Sequence, residues 1–295
     1  MKSEPRRRFL SLITIIALAL LAPLHGAQAK SFLWKATGKG SVVYLAGSIH
    51  MLSPDFYPLN PVFDDAFKDS DLLVEEVDLG EMLGPGSQMQ ALMRGMLPAG
   101  QTIDKVLSPE TLALVTKAAK DLGAPIEALQ RFKPWMLALT LEGLELASAG
   151  FDPELGLDKH FYDLAKEGGK AVQGLETVDY QLSRLDEMTQ AQQDRMLAQT
   201  LKEIATEKAS VAKLTTAWKT GDADAVAKLV LGNLKQEPAL YERLLVERNK
   251  NWLPKIEALF SRKGHALVLV GAAHLVGPEG LIAVLKAKGY TIEQQ

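Results

Sequence analysis

Two histidines, His50 and His274, each stand three positions after a glycine at the end of an apolar run. The runs are Val42-Val43-Tyr44-Leu45-Ala46-Gly47-Ser48-Ile49-His50 and Leu267-Val268-Leu269-Val270-Gly271-Ala272-Ala273-His274. A lone Gly-x-x-His is a weak signal, because a buried histidine often does no more than bond a backbone carbonyl. Its recurrence in a chain with five histidines points to one shared site. Of the other three, His25 falls in an N-terminal leader, His160 on a helix, and His265 ahead of its strand. Acidic chemistry comes from Glu75 and Glu76, which interrupt Leu72-Leu73-Val74-Glu75-Glu76-Val77-Asp78. An ionised carboxylate in a core strand is costly unless it is paired or bound to a cation. Strand side chains alternate, so the two glutamates are expected on opposite faces, at least one in polar company at the strand end.

Two neutral imidazoles and a carboxylate suit Zn, Mn, Fe or Co, with positions left open for water. Such an ion lowers the pKa of its water and polarises a carbonyl, which supports hydrolysis. Without a metal, the same histidine and glutamate serve as a general base and its orienting partner. The residues by themselves leave both readings open.

These groups need elements to hold them. Short apolar, β-branched runs bounded by turn formers read as buried strands, and open α/β sheets place their sites at the carboxyl ends of such strands. Segments 31–36 and 41–46 flank a Gly-rich turn and read as a hairpin. Asn60 caps a helix with Pro61 at its first position, followed by the Glu75 strand, which suggests a parallel crossover. Segment 80–101, with Met82, Met89, Met93 and Met96, reads as a mobile surface helix or a lid. Further helices are expected at 108–122, 134–149, 157–167, 191–214, 238–260 and 278–288, with strands at 170–175, 267–274 and 290–293. The expected fold is α/β: a central mixed, largely parallel sheet with a large helical insert.

Length and composition bound the rest. With 295 residues and 47% hydrophobic content, the chain can bury a large core. It has no cysteine, so disulfides and thiolate ligands are excluded. Arg6-Arg7-Arg8, the apolar run from Phe9 to Ala22 and Ala27-Gln28-Ala29 have the layout of a secretory signal peptide over 1–29. A twin-arginine route fits the same residues. Residues 30–295 then form a single domain with 29 basic and 35 acidic residues. That balance lacks the basic stripe of a nucleic-acid footprint. The expected location is periplasmic or secreted, free of the membrane after cleavage.

Several motifs in fixed order carry a resemblance. Gly47-Ser48-Ile49-His50, Glu76-Val77-Asp78, Lys133-Pro134-Trp135, Gly156-Leu157-Asp158, Gly174-Leu175-Glu176-Thr177, Glu247-Arg248-Asn249 with Trp252, and Gly271-Ala272-Ala273-His274-Leu275 together resemble the TraB/GumN family, which includes the Tiki proteins. The resemblance spans about Leu33 to Ile292. It implies a metal-dependent peptidase favouring manganese or cobalt, with His50, Glu76 and His274 as ligands and Glu76 as ligand or base. It places the family's Arg-Asn pair on Arg248 and Asn249, where the arginine holds a substrate carboxylate or a developing oxyanion. Asp158 and Glu176 join them as substrate-binding candidates, against the plainer roles of helix cap and surface ion pair. The fold it implies resembles erythromycin esterase and haem-binding ChaN-type proteins, whose activities differ. The expectation is an exported metal-dependent hydrolase of a peptide or small-molecule substrate. The alternatives are a metal-free esterase with His50 as base, and a non-catalytic binder of haem, metal or glycan.

Overall fold

The computed structural model describes residues 30–38, 40–206 and 208–295; the expected signal segment, 1–29, lies outside them. Six strands form one sheet: β1 (Leu33–Gly38), β2 (Ser41–Ser48), β3 (Leu72–Glu75), β4 (Ala171–Gly174), β5 (Ala266–Gly271) and β6 (Thr291–Gln294). Their order is β4-β3-β5-β2-β1-β6. The pairs β4/β3, β3/β5 and β5/β2 are parallel, and β1 runs antiparallel to both β2 and β6. The last segment of the chain therefore inserts its strand between β2 and β3.

Burial explains the strand sequences. β5 is buried over most of its length and reads as an unbroken apolar run, as parallel core strands do, and β3 is buried and apolar up to Glu75. β4, at the edge, alternates exposed and half-buried positions. The core under the sheet takes in Phe161, Trp218, Trp252, Ile256 and Phe260, all buried, from helices on its faces. The helical insert has an apolar core of its own, with Ile103, Val115, Leu129, Leu137, Leu141, Leu197 and Leu201.

Helix ends follow local chemistry. Asn60 caps the helix Pro61–Asp69 through Val62 N–H, and Ser108 caps Pro109–Asp121 through Thr111 N–H. Thr189 and Gln192 exchange hydrogen bonds in a capping box. The helix expected from 191 is borne out in the described residues on either side of position 207, Gln190–Thr206 and Lys208–Lys219. Two boundaries differ from expectation. The last helix opens at Leu281, because Gly277, at φ +81°, turns the chain after Val276. The helix expected over 238–260 contains a π turn, Glu242–Val246, between Pro238–Tyr241 and Glu247–Leu259. A π turn takes in one extra residue and rotates everything downstream of it, and such turns are frequent at functional sites.

Leu267 in β5 is fully buried between two strands and two layers of helices. Leu267→Ala is expected to cost about 2–5 kcal/mol. A lower urea midpoint at unchanged m value would show it.

Candidate functional site

Four adjacent parallel strands release their chains at one edge of the sheet, and each release delivers a polar side chain. β2 is followed by His50, β3 ends in Glu75 and leads to Glu76, β4 is followed by Glu176, and β5 by His274. The two Gly-x-x-His motifs lie side by side, with Gly47 opposite Val270 and Ser48 opposite Gly271. His50 stands in the loop after β2, whereas His274 lies in a single helical turn, Ala272–Leu275.

The expectation that Glu75 and Glu76 face opposite ways is corrected. β3 ends at Glu75, and Glu76 begins a bend, so alternation stops there. Both residues line one cavity of about 290 Å³ with His50, Asp158, Lys159, Gln181, Leu79, Met82 and Leu83. A larger cavity of about 560 Å³ lies beside residues 142–151 and 200–215 but contains neither Gly-x-x-His histidine. The smaller one holds the convergent polar groups and is the candidate site.

Asp158 is fixed to His50 through the backbone. Leu157 N–H donates to the Ile49 carbonyl at 3.1 Å, and Leu52 and Asp152 pair across the same junction. At Gly156 a Cβ would stand 2.2 Å from the His50 carbonyl oxygen, so this close approach requires glycine. The first turn of the helix Leu157–Glu167 thereby sets the Asp158 carboxylate 2.7 Å from His50 Nδ1, with Ser48 Oγ donating to the same oxygen. Because Asp158 accepts, His50 Nδ1 carries a hydrogen, and Nε2 is left toward Gly271 and the cavity. The Asp158 charge pushes the His50 pKa up to about 9 against the cost of burial, with Glu76 adding to the rise. Water reaches the ring, which is 68% exposed, and screens part of that pull.

His274 has the opposite surroundings. It is 3% exposed, and its Nδ1 lies 2.8 Å from Asn249 Oδ1. Asn249 Nδ2 donates to the His274 and Glu279 carbonyls, which fixes the amide and leaves Oδ1 to accept from Nδ1. Nε2 therefore presents its lone pair, and Arg248 Nη1 donates to it at 3.0 Å. Burial, aided by the Arg248 charge, holds the His274 pKa down at about 3 despite the pull of Glu76, so the ring is neutral.

Arg248 joins the rest. Its Nε donates to Glu176 at 3.1 Å, and Nη2 donates to Glu176 Oε1 at 2.6 Å and to Glu76 Oε2. Nη1 also reaches the Leu244 carbonyl at 3.4 Å, and the Trp252 ring lies 4.6 Å from the guanidinium carbon. Trp252 Nε1 donates to Glu176 Oε2 at 2.8 Å. Glu76 Oε1 accepts from Gly271 N–H at 2.7 Å, and Gln181 donates to its Oε2 at 3.2 Å. Burial alone would raise the Glu76 pKa; Arg248, the two histidines and the Gly271 amide outweigh it and hold the carboxyl ionised. A Cβ on Gly271 would stand 3.2 Å from Glu76 Oε1 and 4.0 Å from His50 Nε2, so this glycine keeps the centre of the constellation open.

All seven expected site residues thus come together, but their roles separate. Arg248, Asn249, Glu176 and Asp158 spend their polar groups on one another, on the histidines and on nearby protein groups. Their hydrogen bonds hold His50, His274 and Glu76 in place, and Asp158 also lines the cavity. Among the polar residues lining the cavity, His50, Gln181 and Lys159 are at least partly exposed, whereas Glu75 is buried in its wall. Gln181 and Lys159 had no sequence signal, since each is an ordinary polar residue on a helix. Glu75 was signalled only by its place in an apolar strand. It is 2% exposed, Oε2 accepts from Leu79 N–H at 3.2 Å, and Oε1 has no partner among the described residues. Burial pushes its pKa up to about 8.

Mn, Co or Zn on His50, His274 and Glu76 is a fair match of donor types, with Asp158 and Asn249 in the places of outer-shell partners. The placement does not match. Among the described residues no three His, Asp or Glu side chains stand close enough to share an ion, and the His274 lone pair is taken by Arg248.

Breaking the buried Arg248–Glu176 pair in Glu176→Ala is expected to cost about 3–5 kcal/mol. Glu247→Ala, at a half-exposed pair with Arg184, should cost no more than about 1 kcal/mol; urea titration of both variants compares them. Glu75 holds its proton to about 8 when folded, against 4.5 for the free side chain. Between those values the folded state binds the extra proton, so its contribution to stability falls as pH rises. Glu75→Gln should flatten the decline in melting temperature over that window relative to wild type, and parallel curves would refute the assignment.

The model of the TraB/PrgY/gumN family matches residues 32–294. "Uncharacterized protein YbaP" of Escherichia coli (strain K12) is 26% identical over 246 residues, covering 82% of this chain and 87% of that protein. An "Uncharacterized protein" of Treponema pallidum (strain Nichols) is 23% identical over 296 residues, covering 95% of this chain and 87% of its own length. Neither name states an activity. No solved structure matches the chain.

Proposed function

The chain belongs to the TraB/PrgY/gumN family, and from that premise we propose that it hydrolyses an acyl bond of a peptide or small-molecule substrate in the cavity beside His50. The observation that carries this reading is the Asp158–His50 pair. Nδ1 is held at 2.7 Å by a carboxylate, and Nε2 is left toward an open cavity next to an ionised glutamate. That is the arrangement of a general base with an orienting partner.

His50 Nε2 takes a proton from water as the water attacks the substrate carbonyl, then returns it to the leaving group. Asp158 keeps the ring in the tautomer whose Nε2 is free and stabilises the imidazolium that forms. Glu76 adds negative charge on the other side of that imidazolium. Its own position is fixed by Arg248, Gln181 and the Gly271 amide. Leu79, Met82 and Leu83 form an apolar wall that receives the non-polar part of the substrate. A metal route through His50, His274 and Glu76 would first require Arg248 to release His274, and the proposal does without it. Export to the periplasm or the medium belongs to the same proposal and rests on the Arg6–Arg8 cluster, the apolar run and the small-x-small site that follow each other in the leader.

A panel of activated esters, lactones and peptides tests the reading with the mature chain. His50→Ala should lower kcat/KM on the order of 10²–10⁴-fold, the usual contribution of a general base. A base with its pKa raised to about 9 is free only above that value, so kcat/KM should rise with pH and level off near 9. Asp158→Asn should move the profile to lower pH and reduce its plateau. A rate that falls as pH rises through 9 would make His50 the acid. Turnover indifferent to His50→Ala would remove catalysis from this cavity.

A further inference from the structure

We infer that Arg248 takes the place of a metal ion in this chain: its guanidinium is the resident cation that His274, Glu76 and Glu176 are built around. A guanidinium has five N–H donors in a fixed fork. Here all five have acceptors: Glu176 takes Nε–H and one Nη2–H, Glu76 the other Nη2–H, His274 Nε2 one Nη1–H, and the Leu244 carbonyl the last. The residue is 9% exposed and rests on the Trp252 ring. No donor is left over for a substrate.

The same atoms are those a metal would need. A metal-bound imidazole offers its lone pair to the ion at about 2.0–2.1 Å. The Asn249 amide, fixed by its two carbonyl acceptors, directs that lone pair of His274 at Nη1 instead. Glu76 presents Oε2 to the guanidinium and Oε1 to the Gly271 amide, which leaves Oε1 3.9 Å from His274 Nε2. A divalent ion inserted among these groups would sit against a buried positive charge, in surroundings where charges are weakly screened. One cation or the other can hold the position. In this chain the covalently attached one does, and it holds the site at any metal concentration. Arg248 is then a positioning residue: it sets Glu76 and keeps His274 neutral and occupied, so that His50 is the histidine left to move a proton.

The test reads metal binding and not turnover, so its result stands whether or not the hydrolase proposal does. Mature protein is equilibrated with Co(II) and, separately, with Mn(II), dialysed, and assayed for bound metal by mass spectrometry and for the Co(II) visible absorption band. Wild type is expected to retain no stoichiometric metal. Arg248→Met keeps an apolar stem on Trp252 and frees His274 Nε2, Glu76 and Glu176. It should take up about one Co(II) with a visible band, and Arg248→Met/His274→Ala should lose both. Wild type that retains one equivalent, with a band abolished by His274→Ala, would overturn the inference. So would a folded Arg248→Met that stays metal-free. Should that variant not fold, imidazole NMR of wild type decides. His274 signals unbroadened by one equivalent of Mn(II) uphold the inference, and their loss overturns it.

Discussion

A guanidinium stripped of water is tolerable only if every one of its hydrogens meets an acceptor and its charge meets a counter-charge. Arg248 meets both conditions, and much of the surrounding structure is explained by that requirement. Glu176 supplies the bidentate counter-charge and is itself braced by Trp252 Nε1. Glu76 supplies a second carboxylate and His274 a neutral lone pair. The π turn Glu242–Val246 stands immediately before Glu247-Arg248 and resets the helix register there, in the part of the helix that presents Arg248, Asn249 and Trp252 together. Burial pushes Arg248 toward losing its proton, but the two carboxylates prevail and it is held more tightly than usual. For Glu176 burial is the larger influence and raises its pKa against the pull of Arg248. The ion pair is the state that the bidentate geometry favours.

That network makes the two Gly-x-x-His motifs unequal. Parallel neighbours β2 and β5 place them side by side, yet the two rings differ in every property that governs proton transfer. His50 is open to water and faces the carboxylate Asp158, which favours its charged form. His274 is enclosed, held by an uncharged amide on one side and a cation on the other, so its charged form is disfavoured. One motif yields a ring that favours its charged form, and the other a neutral ring whose lone pair accepts from Arg248. Division of this kind, with environments pushing like groups apart in pKa, is how acid–base sites assign roles.

The sheet gives these contacts their precision. Each positioned group follows the end of a strand or the first turn of a helix, and short backbone bonds such as Leu157 to Ile49 and Glu176 to Glu76 continue the pairing past the strand ends. Loops on a rigid edge of this kind can carry function without losing geometry. The apolar cavity wall from Leu79 to Leu83 is a short helix and its C-cap, N-capped by Asp78 and following shortly after Glu76 in the chain.

Sequence by itself determined the α/β class, the run of parallel strands and the pairing of the two Gly-x-x-His motifs, because buried strands and capped helices announce themselves through local composition. The residues it singled out, His50, Glu76, Asp158, Glu176, Arg248, Asn249 and His274, meet at one end of the sheet. What each of them does was decided only by tertiary structure. A strand ending at Glu75 cancels the alternation that would have separated Glu75 from Glu76, and its end is fixed by pairing with β4 and β5. The π turn has no residue signature, and it sets the register of the helix that presents Arg248. Whether a histidine favours its charged or its neutral form depends on its surroundings, on the Asp158 charge for His50 and on burial aided by Arg248 for His274. Those charges act through distance and burial, which chain order does not encode.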